Sequence, residues 1–124
     1  MDLYREQILD HYKHPRNFGH LEGANVTSEE SNISCGDRIV IEMRLSSAKP
    51  HVIEEIRFNG EGCAINQASA SMLTEKVTGM RVIDAMKLTL QDVEAILGTT
   101  LTPSRVKCAL LPLEAIHKAI QSVK

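Results

Sequence analysis

The feature that most constrains the fold is a change of hydrophobic period midway along the chain. Ile39, Ile41, Met43 and Leu45 alternate with Arg38, Glu42 and Arg44, the pattern of a strand with one buried face. A second strand-like run, Val52 to Asn59, follows the Pro50-containing stretch Ser46 to His51, so the two read as an antiparallel hairpin with a loop of several residues. A weaker alternation of Ala24 and Val26 after Gly23 supplies a third strand. Past Gly60 and Gly62 the spacing turns helical. Ile65, Ala68, Met72, Leu73 and Lys76 share a face that ends at Gly79. Thr89 and Asp92 resemble a capping box ahead of Val93 and Leu97, with Gly98 as terminator. Thr102 and Pro103 open a last helix through Val106, Leu110, Leu113, Ile116 and Ile120. At the other end, Leu3, Tyr4, Ile8, His11 and Tyr12 predict a helix over about residues 2–13, stopped by Pro15 and Gly19 and followed by a loop from His14 to Glu22. Strands early and helices late predict an α+β fold, a three-stranded antiparallel sheet packed against several helices, rather than parallel βαβ units.

With 124 residues and 43% hydrophobic content, residues 1–124 read as one compact domain. Aromatics make up 3% and Trp is absent, so the core rests on Ile, Leu, Val, Met and Ala. A net charge of −2 with interspersed Lys and Arg argues against nucleic acid. No apolar run reaches the roughly 20 residues of a membrane helix. The acidic start MDLYREQILD is unlike a secretory signal, which gives an expectation of a cytoplasmic protein. Three cysteines cannot all pair within one chain, and a reducing cytosol leaves thiols available for metal or sulfur chemistry.

Those cysteines sit at joints between elements. Cys35 lies in SCGD, where Gly36 permits backbone angles that turn a thiol and the Asp37 carboxylate toward one centre. Cys63 lies in GEGCA at a strand-to-helix turn, where the positive end of the helix favours thiolate. Cys108 precedes Pro112 by four residues, so its carbonyl loses a helical hydrogen bond and the helix is loosened there. Cytosolic cysteines are often just small buried hydrophobes. Here two glycine-flanked positions, a helix start and a nearby acid favour ligands. Soft thiolates hold iron–sulfur clusters or zinc, and a hard carboxylate holds cluster iron less firmly than a fourth thiolate. Such a donor set suits cargo that must be released.

Other features have simpler readings. His11 and His14 lack a third ligand nearby, His117 reads as exposed, and GEG lacks the pattern of a dinucleotide loop. Ser69 and Ser71 fit a packed helix face better than hydrogen bonding to cluster sulfides. Met43, Met72, Met80 and Met86 read as core filler, and Glu54 and Glu55 as solvated strand positions.

LYREQILDHYKHPRNFG, NISCGD, GEGCAINQASASM and SRVKCALLPLEAI, in that order over nearly the whole chain, resemble the IscU, SufU and NifU N-terminal family of iron–sulfur cluster assembly scaffolds. The resemblance implies a three-stranded antiparallel sheet and matches Cys35, Asp37, Cys63 and Cys108 to the family's ligand positions. It implies a transient [2Fe–2S] cluster, a cysteine desulfurase as sulfur donor, an iron donor, acceptor apo-proteins or carrier proteins, and a monomer or weak homo-oligomer. The SufU-like alternative is a sulfurtransferase with Zn²⁺ on the same four ligands and Cys35 as persulfide acceptor, Cys108 being a second candidate. A structural zinc protein is a third reading, disfavoured because no CxxC pair is present. Two departures from the IscU branch stand out. Lys107 replaces the His before the third cysteine, and LTPSRVK stands where the LPPVK chaperone segment would be. SufU-like proteins, in turn, carry an insertion between the second and third cysteines for which this chain is too compact.

Overall fold

The computed structural model describes residues 3–32 and 36–123. Cys35 lies outside the described residues, as do the side chains of Leu3 and Tyr4. The order is α1 (Leu3–Lys13), β1 (Val26–Asn32), β2 (Asp37–Leu45), β3 (Ile53–Glu61), α2 (Ala64–Val77), α3 (Val82–Ala85), α4 (Leu90–Leu97) and α5 (Pro103–Gln121). The three strands form one antiparallel sheet in the order β1-β2-β3. The α+β expectation is met. No helix among the described residues is long and apolar enough to cross a membrane.

β2 shows why its sequence is a central strand. Ile39, Ile41, Met43 and Leu45 are buried while Arg38, Val40, Glu42 and Arg44 are half-buried, a strict two-residue period. Asp37 belongs by parity to the buried set, at the strand's first position. An acid on the core side of a strand is the first structural sign of a polar site at this end of the sheet. The opposite face carries ion pairs, Arg44 with Glu55 at 2.9 Å and Arg57 with Glu55 at 2.7 Å. Glu55 is therefore a paired strand position rather than a freely solvated one.

β1 was only weakly legible because it buries half its width under α5 through polar groups. Ser28 Oγ donates to the Ala115 carbonyl at 2.6 Å, and Lys118 lies 3.4 Å from Glu30. Gly60, opposite Ile39, has φ 126°, and a Cβ there would overlap the Arg38 carbonyl. Only glycine lets β3 lie this close to the start of β2.

The core joins the buried face of β2 and β3 to α2, α4 and α5 through Ile39, Ile41, Phe58, Leu73, Leu97 and Ile116. The capping box holds as read, with Thr89 N–H donating to Asp92 at 2.7 Å, and Gly98 takes the left-handed conformation at φ 79°. Met43 and Met72 are core residues, with Met80 and Met86 packed against the core. Three further details differ from the sequence reading. Tyr12 is 46% exposed, because Ile8 and His11 already complete the buried stripe of α1. α3, a single turn, was not anticipated. His117 is half-buried with Nε2 3.0 Å from the Ala85 carbonyl, since the unforeseen α3 sets its last residue beside α5.

Candidate metal centre

Three elements bring polar side chains to one end of the sheet. Asp37 opens β2, paired with Asn32 at the end of β1. β3 ends at Glu61, opposite Arg38, so the chain leaves the sheet beside Asp37 and Cys63 follows two residues later. Cys63 is the N-cap of α2, with extended backbone angles, and its Sγ accepts from the Asn66 N–H at 3.5 Å. The sulfur thus occupies the place of a capping oxygen, against the partial positive charge of the helix start. Cys108 enters from the second turn of α5 and is buried.

The ligand atoms of Asp37, Cys63 and Cys108 all lie within 4.8 Å of one another. Two thiolates on one tetrahedral zinc stand about 3.8 Å apart, given Zn–S bonds of about 2.3 Å, so a small contraction suffices to close around an ion. Gly36, ahead of Asp37, has φ 72°, the left-handed angle anticipated for it. The structure brings together three of the four residues singled out in the sequence, and Cys35, in the connection between Asn32 and Gly36, lies outside the described residues.

The Asp37 carboxylate supplies the test of fit. It is 2% exposed; Oδ1 accepts from the Cys63 N–H at 3.1 Å, whereas Oδ2 is buried with no hydrogen-bond partner among the described residues. A buried carboxylate oxygen without a donor is costly, and a cation relieves it. Two sulfurs and one such oxygen fit a thiophilic or borderline metal, zinc or cluster iron.

Other polar side chains have structural duties. Ser69 Oγ donates to the Ala109 carbonyl at 2.7 Å, tying α2 to α5. Ser71 Oγ accepts from the Arg16 N–H at 2.9 Å and lies 2.7 Å from His11 Nδ1. His11 is thus an α1–α2 contact, and burial, with Arg16 nearby, pushes its pKa down. Lys107 is exposed. The sequence reading missed Asn66, fully buried between the two cysteines, although the proline-orphaned carbonyl at Cys108 was a signal that some donor must reach it.

Comparison with known proteins agrees with this architecture. Residues 3–124 match the family described as the NifU-like N terminal domain. The chain is 37% identical to the zinc-dependent sulfurtransferase SufU of Bacillus subtilis, covering 95% of this chain and 89% of the relative. It is 40% identical to the iron–sulfur cluster assembly scaffold protein IscU of Aquifex aeolicus, over 95% of this chain and 74% of that one. A crystal structure of a protein assigned as a cluster assembly scaffold of the SUF system in Fervidobacterium islandicum AW-1 superposes with a TM-score of 0.73 at 28% identity, covering 93% and 94% of the two chains. With a match spanning all but the first two residues and relatives of 37% and 40% identity over 95% of its length, this chain belongs to the NifU-like N-terminal domain family.

Proposed function

We propose that this protein is a scaffold on which an iron–sulfur cluster is built and from which it is handed on, with Cys35, Asp37, Cys63 and Cys108 as ligands. The observation that carries the reading is the Asp37 carboxylate, one of whose oxygens lies within 4.8 Å of the Cys63 and Cys108 sulfurs and whose buried Oδ2 has no donor among the described residues. Cys35 is two residues from Asp37 along the chain, so covalent reach alone keeps their Cα atoms within about 7 Å. Three thiolates and one carboxylate suit a [2Fe–2S] cargo whose weakest bond is to oxygen. Sulfur comes from a cysteine desulfurase and iron from a separate donor, and an acceptor apo-protein or carrier takes the product. Residues 1–124 serve as a single domain in this role, in the cytoplasm.

The likeness to a zinc-dependent sulfurtransferase supports a second reading. Zn²⁺ on the same ligands would hold the thiols deprotonated. The Cys35 thiolate attacks the outer sulfur of the desulfurase persulfide, the S–S bond breaks, and the desulfurase thiolate leaves, so that Cys35 carries the persulfide.

Anaerobic incubation with ferrous iron, cysteine and a desulfurase separates the two. Visible cluster absorption on this protein, followed by its transfer to an apo-acceptor, supports the scaffold. Stoichiometric zinc with faster desulfurase turnover and no cluster supports the sulfurtransferase. Zinc with neither activity leaves a structural metal site.

A further inference from the structure

Pro112 lies inside α5 and has no N–H, so the Cys108 carbonyl four residues earlier lacks the i+4 donor of a regular helix. Asn66 of α2 supplies one, with Nδ2 3.1 Å from that oxygen. The same residue holds the other cysteine, its backbone N–H donating to Cys63 Sγ at 3.5 Å. Its orientation is locked from two sides: Gln67 Nε2 donates to Asn66 Oδ1 at 3.0 Å, and a Cβ on Gly62 would overlap the Asn66 amide. Asn66 is fully buried, although asparagine is a poor helix former. An alanine in place of Pro112 would let α5 satisfy its own carbonyl and dock on α2 by apolar packing. The chain instead fastens α5 to α2 by a side-chain hydrogen bond at the cysteine itself.

We propose that Asn66 is a positioning residue of the metal centre: it replaces the hydrogen bond that Pro112 removes and thereby sets the separation of the Cys63 and Cys108 sulfurs. The functional value of that separation rests on the ligand reading above; the geometric claim stands apart from it and is tested on metal-free protein. Asn66 acts through the two cysteines and touches no cargo.

The test uses full-length protein carrying Cys35→Ser, so that dibromobimane, which fluoresces on bridging two thiols, reports on Cys63 and Cys108. Asn66→Ala, Pro112→Ala and the double variant are compared with the parent for thermal midpoint and for bridged product as a fraction of total alkylation. In the protein with all three cysteines, the Co²⁺ charge-transfer bands are recorded for the same set. Asn66→Ala is expected to lower the midpoint by several degrees, and Asn66→Ala/Pro112→Ala to match Pro112→Ala, because the helix regains its own donor. Bridging is expected to fall by about 10- to 100-fold in both Asn66→Ala backgrounds, the scale on which ångström misplacements act, with weakened Co²⁺ bands. Bridging and bands that recover with the midpoint in the double variant, or that never change, overturn the proposal. If Asn66→Ala alone does not fold, the double variant against Pro112→Ala decides. A failed cluster reconstitution with intact bridging behaviour overturns the scaffold reading and leaves this one standing.

Discussion

Asp37 Oδ1 accepts the backbone N–H of Cys63 at 3.1 Å while Oδ2 of the same carboxylate is buried without a donor among the described residues. One oxygen thus fastens the start of β2 to the start of α2, and the other is the one that a cation would satisfy in the proposed ligand set. Metal-free protein bears the cost of that second oxygen, of order 1–3 kcal/mol for a buried unsatisfied group.

Asp37→Ala is therefore expected to stabilise the metal-free protein by about 1 kcal/mol, the lost bond to Cys63 N–H offsetting part of the relief. Denaturant midpoints with and without saturating Zn²⁺ check this. The parent gains the larger zinc-dependent increment, and a variant less stable than the parent without metal contradicts the account.

The same substitution is expected to slow cluster release, because the hard oxygen is the weakest of the four proposed bonds. Visible absorption after mixing loaded protein with an apo-acceptor reads the rate. Transfer as fast as the parent's would show that Asp37 does not govern release.

Gly60→Ala is expected to destabilise by about 2 kcal/mol or more, since its Cβ would overlap the Arg38 carbonyl in addition to straining a φ of 126°. Gly23→Ala, at φ 81° with open space around it, bears only the backbone strain, about 1 kcal/mol. Urea midpoints should rank Gly60→Ala well below Gly23→Ala, and Gly60→Ala should also lose metal affinity because Arg38 adjoins Asp37.

Burial, with Arg16 beside it, lowers the His11 pKa below its ordinary 6.5. The unfolded chain then binds more protons than the folded one between the two values, so stability is full above about 6.5 and falls as pH drops through that window. Glu114, raised from its ordinary 4.5 mainly by burial and then by Glu30, acts the other way, losing stability as pH rises past 4.5. Urea midpoints between pH 5.5 and 7.5 should rise with pH in the parent and in Glu114→Gln, and flatten in His11→Gln. A slope unchanged by His11→Gln would remove His11 as its source.

How far the sequence could be read depended on whether neighbours in the chain carried the signal. β2 was legible because its alternation is strict, and α4 because its cap and terminating glycine are local. β1, with the sequence VTSEESN, is a strand because α5 covers it, and α3 is too short to show a period. At the site, Asp37, Cys63 and Cys108 stood out by type and neighbours. Asn66 did not, since its partner lies 42 residues away, and neither did the burial of His117 against a carbonyl 32 residues distant. Donors that cross between helices leave no periodic trace.

X-ray absorption at the zinc edge of zinc-loaded protein reads the proposed ligand set itself. One zinc per chain is expected, with three sulfurs at about 2.3 Å and one oxygen at about 2.0–2.2 Å, the oxygen shell changing and the sulfurs persisting in Asp37→Ala. A shell of nitrogen and oxygen without sulfur, or no stoichiometric zinc, would contradict it.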